Sequence, residues 1–185
     1  MRVIAGSARR IELKTVAGQE TRPTTDRIKE TLFNMLQPYL ADCHFLDLFA
    51  GSGGIGIEAL SRGAAHAVFV ESNPSAVTCI KENLEKTRLA DRAEVMSDSV
   101  MTGLRKLESR HQVYDIIYMD PPYEKGLERE ALAWLKGSGM MDDQTWIIVE
   151  ADLKEDFSYL KDLGFTLDKE KRYKTNKHMF IGRLK

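Results

Sequence analysis

From Phe45 onward, short apolar runs alternate along the chain with stretches whose apolar residues recur at helical spacing. The apolar runs predict strands at 45–49, 67–71, 93–96, 114–119 and 145–150. The amphipathic stretches predict helices at 55–62, 75–88, 100–109 and 127–136. Strands that are nearly continuous in apolar residues and alternate with helices indicate a parallel sheet covered on both faces.

Both ends of the chain depart from this alternation. Residues 165–173 and 178–183 flank a Lys-Thr-Asn turn, which predicts an antiparallel pair. Residues 2–14 predict a hairpin of two short strands around a Gly-Ser-Ala turn at 6–8. A helix is predicted to begin at Pro23-Thr24-Thr25-Asp26 and to end at Pro38. The residues of this helix expected to face the core are Ile28, Leu32, Met35 and Leu36. The predicted fold is a doubly wound, mostly parallel α/β sheet finished by a hairpin.

The composition fits a globular protein of one domain. The chain has 185 residues, of which 43% are hydrophobic and 30% are charged. No apolar run approaches the roughly 18 residues of a membrane helix, and the first residues lack the apolar core of a signal peptide. Cys43 and Cys79 are too few and too far apart for a disulfide framework or a metal cluster, so no metal is expected. We expect a cytoplasmic protein that does not associate with membranes.

The charge distribution is uneven although the net charge is only −1. Residues 169–185 contain seven Lys or Arg against one acid, and residues 1–30 contain seven against four. Either basic end alone is explained equally well as solvated surface. Two basic ends around an acidic middle favour a polyanionic substrate.

A glycine-rich segment follows the first predicted strand. Gly51, Gly53 and Gly56 satisfy the pattern G-x-G-x-x-G, and Glu71 ends the next strand about 20 residues later. Glycines let the backbone approach a ligand closely, and a carboxylate at the tip of the second strand suits the two hydroxyls of a ribose. The pattern predicts a site for a cofactor that contains adenosine, and by itself allows either NAD or S-adenosyl-L-methionine.

An acid inside the first strand favours the second of these cofactors. Asp47 would repel a pyrophosphate, but it suits the ammonium group of S-adenosyl-L-methionine, either directly or through water. After the third strand, Asp98 is placed to accept a hydrogen bond from the adenine amine, and it could equally cap the next helix with Ser99. The candidate cofactor-binding residues are Asp47, Gly51, Ser52, Gly53, Glu71, Ser72, Asp98 and Ser99.

The sequence Asp120-Pro121-Pro122-Tyr123 follows the fourth predicted strand. Prolines have no N–H and a fixed φ, so the backbone neither continues in the sheet nor enters a helix smoothly. A stiff turn results, with carbonyl acceptors between a carboxylate and an aromatic ring. It suits a planar group that carries an amine, such as a nucleobase, although Pro-Pro alone would also fit a plain strand-ending turn. Asp47, Glu71, Asp98 and Asp120 are expected to share the carboxyl edge of the sheet, where such folds bind ligands.

These motifs together resemble a known family. Asp-x-Phe-x-Gly-x-Gly at 47–53 with Asp-Pro-Pro-Tyr at 120–123 resembles the class I S-adenosylmethionine-dependent methyltransferases that act on amino nitrogens. Arg-Pro-Thr-x-x-Arg at 22–27 and the segment 47–64 resemble the RsmD family in particular. The similarity runs from residue 2 to about residue 125 and then thins to the level of the fold. Ala5 stands where the family commonly has glycine, which bears on the hairpin and not on the chemistry.

The resemblance implies a seven-stranded class I (Rossmann-like) methyltransferase domain at 41–185, preceded by an extension at 1–40 that contacts RNA and cofactor. It implies direct in-line methyl transfer from S-adenosyl-L-methionine to the N2 amine of a guanine in small-subunit (16S) ribosomal RNA, within a partly assembled subunit. The candidate catalytic residues are Asp120, Pro121, Pro122 and Tyr123. The candidate substrate-binding residues are Arg9, Arg10, Arg22, Thr24 and Arg27. The basic C-terminal tail is expected to hold the RNA backbone.

Three alternatives remain open at this point. The glycine pattern with Glu71 also suits an NAD-linked oxidoreductase, which leaves the Asp-Pro-Pro-Tyr turn unexplained. The same chemistry fits the N6 amine of adenine or a protein glutamine amide, and an inactive scaffold that only binds RNA is a third alternative. The histidines are expected at surface or loop positions and the tryptophans in the core: His44, His66, His111 and His178, and Trp134 and Trp146.

Overall fold

The computed structural model describes residues 1–16, 26–123 and 125–184. The strands are β1 (His44–Leu48), β2 (His66–Glu71), β3 (Ala93–Ser97), β4 (Ile116–Met119), β5 (Trp146–Asp152), β6 (Phe165–Arg172) and β7 (Asn176–Arg183). The α-helices are α1 (Asp26–Leu36), α2 (Gly54–Ser61), α3 (Pro74–Thr87), α4 (Val100–Glu108) and α5 (Leu127–Leu135). Short 3₁₀ turns lie at Gln37–Tyr39, Ala90–Arg92 and Ser158–Leu160. In these ranges, no helix is long and apolar enough to cross a membrane.

All seven strands form one sheet in the order β3-β2-β1-β4-β5-β7-β6. Strands β1 to β5 are parallel, and β7 runs antiparallel to both of its neighbours. The order reverses between β1 and β4, and such a switch point opens a crevice at the carboxyl ends of the strands. The predicted doubly wound sheet with a C-terminal antiparallel pair is therefore confirmed.

Two apolar clusters cover the two faces of the sheet. Successive residues of β1 point to opposite faces, so Phe45 joins one cluster and Leu46 the other. Helices α1, α2 and α3 pack in the first cluster, and α4 and α5 in the second. In α1, Leu32 and Leu36 are buried as predicted, whereas Ile28 and Met35 are partly buried at the margin. Trp134 and Trp146 also pack against the clusters, partly buried.

The N-terminal segment forms the predicted hairpin as a short, irregular loop. Arg2 and Glu12 form an antiparallel bridge, and backbone hydrogen bonds of 2.9 Å join Val3 to Ile11 and to Arg10. The loop gains further hydrogen bonds from α2, because Glu58 accepts from the N–H groups of residues 4 and 5 at 2.8 and 3.0 Å. Ser61, at the C-terminal end of α2, binds the turn of this segment. Its carbonyl oxygen accepts a hydrogen bond from the N–H of Ser7, and its hydroxyl accepts one from the N–H of Ala8. Hydrogen bonds to α2 thus add to the short ladder of the hairpin.

Candidate functional site

A cavity of about 300 Å³ lies at the carboxyl edge of the sheet. Its apolar lining comes from Phe49, Val70, Val100, Met101, Pro122 and Leu127. Its polar lining comes from Glu71, Ser72, Asp98, Ser99 and Lys125. A largely apolar cleft with a few convergent polar groups, at a topological switch point, is the usual form of a nucleotide-type site in this class of fold. Four of the eight predicted cofactor-binding residues line this cavity directly: Glu71, Ser72, Asp98 and Ser99.

The glycine turn connects the carboxyl end of β1 to the start of α2. Gly51 and Gly53 have φ values of +55° and +82°, a region in which side chains are strained. A Cβ on Gly51 would meet no atom within 4 Å, so its glycine is required by the backbone and leaves open space beside it. A Cβ on Gly56 would lie 2.3 Å from the ring of Phe69, so this third glycine permits close packing of α2 on β2. Each glycine of the pattern therefore has its own physical reason.

Asp47 is buried behind the glycine turn, with an exposed fraction of 1%. Its Oδ2 accepts a hydrogen bond of 3.0 Å from the N–H of Gly56 in the first turn of α2. Burial raises the pKa of Asp47 to about 7, against the opposing effect of that hydrogen bond. The side chain secures the start of α2. Its predicted contact with a cofactor ammonium group stays a prediction.

Glu71 connects the end of β2 to the glycine turn. Its Oε2 accepts from the N–H of Gly51 and its Oε1 from the N–H of Asn73, both at 2.8 Å. A carboxylate has about four acceptor positions, so two remain for the hydroxyls of a ribose. The two hydrogen bonds fix the direction of the carboxylate at the cavity wall before any ligand arrives.

Asp98 and Ser99 have separate roles at the end of β3. Ser99 is the N-cap of α4, and its Oγ accepts from the N–H of Thr102. Asp98 is therefore not needed as a cap, and it forms an ion pair with Lys106 at 2.7 and 2.8 Å. Its side chain keeps 17% exposure at the cavity wall. This arrangement leaves Asp98 available for the predicted contact with adenine.

The Asp-Pro-Pro-Tyr turn stands between two recesses. Pro122 lines the large cavity, whereas Pro121 and Tyr123 line a second, smaller recess beyond it. Burial, together with the charges of Glu150 and Asp47, raises the pKa of Asp120 well above its usual range. The turn therefore separates the two recesses, with a carboxyl group of high proton affinity at its start.

A buried polar network behind this turn was not predicted from the sequence. Glu150 accepts hydrogen bonds from Tyr118 at 2.7 Å, from Asn176 at 2.5 Å and from His178 at 3.2 Å. Burial opposes ionisation of Glu150, but these donors outweigh it and lower its pKa. Tyr173 contacts the second ring nitrogen of His178 at 3.1 Å.

His178 was expected at a surface or loop position, but it is fully buried in β7. The antiparallel pairing with β5 sets His178 opposite Glu150 across 28 residues of sequence. Lys177 is similarly buried, and its Nζ donates to the carbonyl of Glu155, so it does not contribute to a basic surface. A local sequence signal for these pairs is lacking, since they depend on the register of distant strands.

Of the predicted substrate-binding arginines that the structure describes, Arg9, Arg10 and Arg27 do not line the cavity. Arg9 and Arg10 are exposed, on the loop that packs against Ser61 at the C-terminal end of α2. Because α2 starts at the glycine turn, they lie roughly 12 Å from the carboxyl edge, the length of this helix. Arg27 is exposed on α1. Arg22 and Thr24 lie outside the described residues, and all these contacts stay predictions.

Comparison with known proteins identifies relatives along most of the chain. A family model described as "Conserved hypothetical protein 95" matches residues 1–182. The chain is 41% identical over 152 residues to the "Putative rRNA methyltransferase YlbH" of Bacillus subtilis, covering 82% of this chain and 83% of the relative. It is 38% identical over 154 residues to "Ribosomal RNA small subunit methyltransferase D" of Escherichia coli, covering 83% of this chain and 76% of the relative.

A solved structure agrees with these relatives. "Putative methyltransferase yhhF from Escherichia coli" superposes with a TM-score of 0.82 and 33% sequence identity, over 99% of this chain and 97% of that one. The match of the family model to residue 182 extends the similarity well past residue 125, where the motifs end. The predicted cofactor, S-adenosyl-L-methionine, agrees with these relationships. The chain belongs to the family of the "Conserved hypothetical protein 95" model, the RsmD family, and has the class I methyltransferase fold.

Proposed function

We propose that this protein transfers a methyl group from S-adenosyl-L-methionine to the exocyclic N2 amine of a guanine in small-subunit ribosomal RNA. The observation that carries the proposal is the position of Asp120-Pro121-Pro122-Tyr123 between a cofactor-sized cavity and a second recess. The name of the E. coli relative, a ribosomal RNA small subunit methyltransferase, supports the class of substrate. Specificity for guanine N2 and direct in-line transfer are parts of the proposal.

The cavity fits the proposed methyl donor. Glu71 and Asp98 offer carboxylates to ribose hydroxyls and to an adenine amine, and apolar side chains such as Val70 and Met101 offer surface to the adenine ring. The open space beside Gly51 lets a ligand approach the backbone closely. When bound, S-adenosyl-L-methionine supplies an activated methyl group. Two carboxylates against the single ammonium of Lys125 in the lining make the cavity unsuited to a pyrophosphate, which disfavours NAD.

The turn supplies the groups that an aromatic amine needs. Such an amine is a weak nucleophile, because its lone pair is delocalised into the ring. Acceptors on its N–H groups, from the Asp120 carboxylate and the Pro121 carbonyl, orient the lone pair and stabilise the positive charge that develops on nitrogen. Asp120, with its raised pKa, then takes up the proton that the methylated amine releases. Tyr123, 38% exposed, offers a surface on which the unstacked base rests.

The basic surfaces hold the RNA away from the reacting base. Arg9 and Arg10 meet the phosphate backbone from the α2 side, and Arg27, with Arg22 and Thr24, meets it nearer the N-terminal helix. Phosphate contacts of this kind position a nucleic acid without selecting a base. The RNA is presented in a partly assembled small subunit, in the cytoplasm.

The proposal is tested by offering labelled S-adenosyl-L-methionine with unmodified small subunits, naked ribosomal RNA, DNA and bulk protein. We expect label in the RNA of the small subunit, released on digestion as N2-methylguanosine. Label in N6-methyladenosine or in protein glutamine would replace the proposed acceptor. Tight binding of NADH without binding of S-adenosyl-L-methionine, measured by titration, would reject methyl transfer altogether.

A further inference from the structure

The smaller recess beyond the Asp-Pro-Pro-Tyr turn shares no lining residue with the cofactor cavity. It is lined by Pro121, Tyr123, Ala151 and four carboxylates, those of Glu128, Glu150, Asp152 and Glu155. It encloses about 10 Å³, room for one water molecule. This volume is too small for a nucleobase, so a base that docks here would meet the carboxylates only with its polar edge, beside the exposed ring of Tyr123.

Glu128 differs from the other acids of this recess because its side chain is largely buried, lines the recess and has no donor in the described part of the chain. It lies in the first turn of α5 with an exposed fraction of 6%. Among the described residues, none donates a hydrogen bond to this carboxylate or forms an ion pair with it. Its neighbour Arg129 stacks over the ring of Tyr159 at 4.9 Å. The buried hydroxyl of Tyr159 has no hydrogen-bond partner in the described part of the chain either.

The remaining acids of the recess are engaged or more exposed. Glu150 accepts from Tyr118, Asn176 and His178. Asp152 accepts a backbone hydrogen bond of 2.9 Å from Lys154, and it is partly exposed, like Glu155. A largely buried carboxylate that has no protein donor is stabilised by a ligand that supplies one. Glu128 is therefore the acid of this recess with an acceptor left open for a ligand.

We infer that Glu128 accepts the N1–H of the target guanine and thereby selects guanine over adenine. The inference rests on the proposed function. Guanine carries N1–H beside its N2 amine, so two donors face the same direction. Adenine carries an acceptor, N1, beside its N6 amine, and a carboxylate at that position repels it. With the amine held by Asp120 and Pro121, the neighbouring ring position meets the acids that line the recess with Pro121.

The test uses 2-aminopurine, which has the same 2-amino group as guanine but an acceptor at N1. Small subunits are reconstituted around RNA that carries either guanine or 2-aminopurine at the methylated position. We expect the wild-type protein to prefer guanine by roughly 10- to 100-fold in kcat/KM, the effect of one charge-assisted hydrogen bond. In Glu128→Gln, the amide can donate to N1 of 2-aminopurine, so the preference should shrink to within about threefold.

Two variants control for indirect effects. Glu130→Gln removes an exposed carboxylate from the same helix and should keep the wild-type preference. Glu128→Ala, which has no side-chain donor or acceptor, should lose activity on guanine without gaining any on 2-aminopurine. A Glu128→Gln protein that folds, binds S-adenosyl-L-methionine and keeps the full preference for guanine would overturn the inference alone. A wild-type product identified as N6-methyladenosine would overturn the proposed function, and with it the recognition of guanine N1–H by Glu128.

Discussion

Asp120, directly after β4, lies at the same level as Glu150 in the neighbouring parallel strand β5. The pair Met119–Val149 is in register across β4 and β5, so the two carboxyl-bearing residues occupy the next position on each strand. Glu150 keeps its charge because three side chains donate to it, and this charge adds to burial in raising the pKa of Asp120. Two adjacent carboxylates in a buried site do not ionise equally. The pair therefore divides into a fixed anion and a proton acceptor.

Replacing Glu150 with Gln should lower the pKa of Asp120, because a negative charge beside it is removed. In the proposed function, ionised Asp120 binds the methyl acceptor, so activity should rise as pH rises through the pKa of Asp120. The acidic limb of the profile of kcat/KM against pH should move to lower pH by about one unit. Glu130→Gln, on the exposed face of α5, should leave the limb in place. If the acidic limb stayed at the wild-type pH in Glu150→Gln, Glu150 would have no effect on the pKa of Asp120.

Asp47→Asn should stabilise the protein at alkaline pH relative to the wild type. The pKa of Asp47 is raised to about 7, so the folded state binds its proton more tightly than the unfolded chain does. The stability of the wild type is then lost as pH rises from about 4 to about 7, and the loss persists above that. The variant avoids this loss, on the order of 2 to 4 kcal/mol by pH 8, while its amide oxygen still accepts from Gly56.

The measurement is urea denaturation of both proteins at pH 5 and pH 8. The difference in unfolding free energy between variant and wild type should grow in favour of the variant between the two values. A difference that stays constant would mean that Asp47 titrates normally.

Glu58→Ala should unfold the N-terminal loop or destabilise the whole protein. Glu58 is fully buried and pairs with Lys29 at 3.2 Å and Arg62 at 2.8 Å, besides accepting from the loop backbone. Removing it leaves the ammonium group of Lys29 buried without its carboxylate partner. The unfolding free energy should therefore fall by about 3 to 5 kcal/mol. Chemical denaturation gives the change in unfolding free energy.

The matched control for that variant is Glu82→Gln. Glu82 pairs with Lys14 at 2.7 Å, but both side chains are about half exposed. Exposed pairs contribute less than about 1 kcal/mol, so the control should remain close to the wild type. Equal losses in the two variants would show that the buried pairing of Glu58 has no special importance.

Tyr123→Ala should weaken productive binding of RNA, whereas Tyr123→Phe should preserve it. Stacking of a base on an aromatic ring contributes about 1 to 3 kcal/mol, so KM for the small subunit should rise roughly 5- to 100-fold in the alanine variant. The affinity for S-adenosyl-L-methionine should be unchanged, since Tyr123 does not line that cavity. Steady-state kinetics on isolated subunits separate the two effects. A phenylalanine variant as impaired as the alanine one would assign the role to the hydroxyl instead.

Local patterns were enough to predict the glycine turn and the acid at the end of β2. The glycines at 51, 53 and 56 and the strand-end acid Glu71 are short-range signals, each tied to a backbone conformation or to a strand terminus. The sheet likewise follows from alternating apolar runs. Such features depend on residues that are close in sequence, and the structure confirms their arrangement.

The surroundings of the Asp-Pro-Pro-Tyr turn depend on contacts between residues that are distant in sequence. The pairing of Glu150 with His178 requires the antiparallel register of β7 on β5, which the charge pattern of the tail does not reveal. Lys177 looks like part of a basic surface in the sequence, yet β7 buries it. Tertiary contacts decided each of these cases.

In the proposed function, the Asp-Pro-Pro-Tyr turn presents an RNA amine to S-adenosyl-L-methionine. Single-turnover methyl transfer to unmodified small subunits, by the wild type and by Asp120→Ala, tests this role when the cofactor affinity of both proteins is measured by calorimetry. Loss of a group that stabilises developing charge should slow transfer by roughly 100- to 1,000-fold or more, with the affinity for the cofactor nearly unchanged. Transfer at the wild-type rate by Asp120→Ala would show that Asp120 does not take part in methyl transfer.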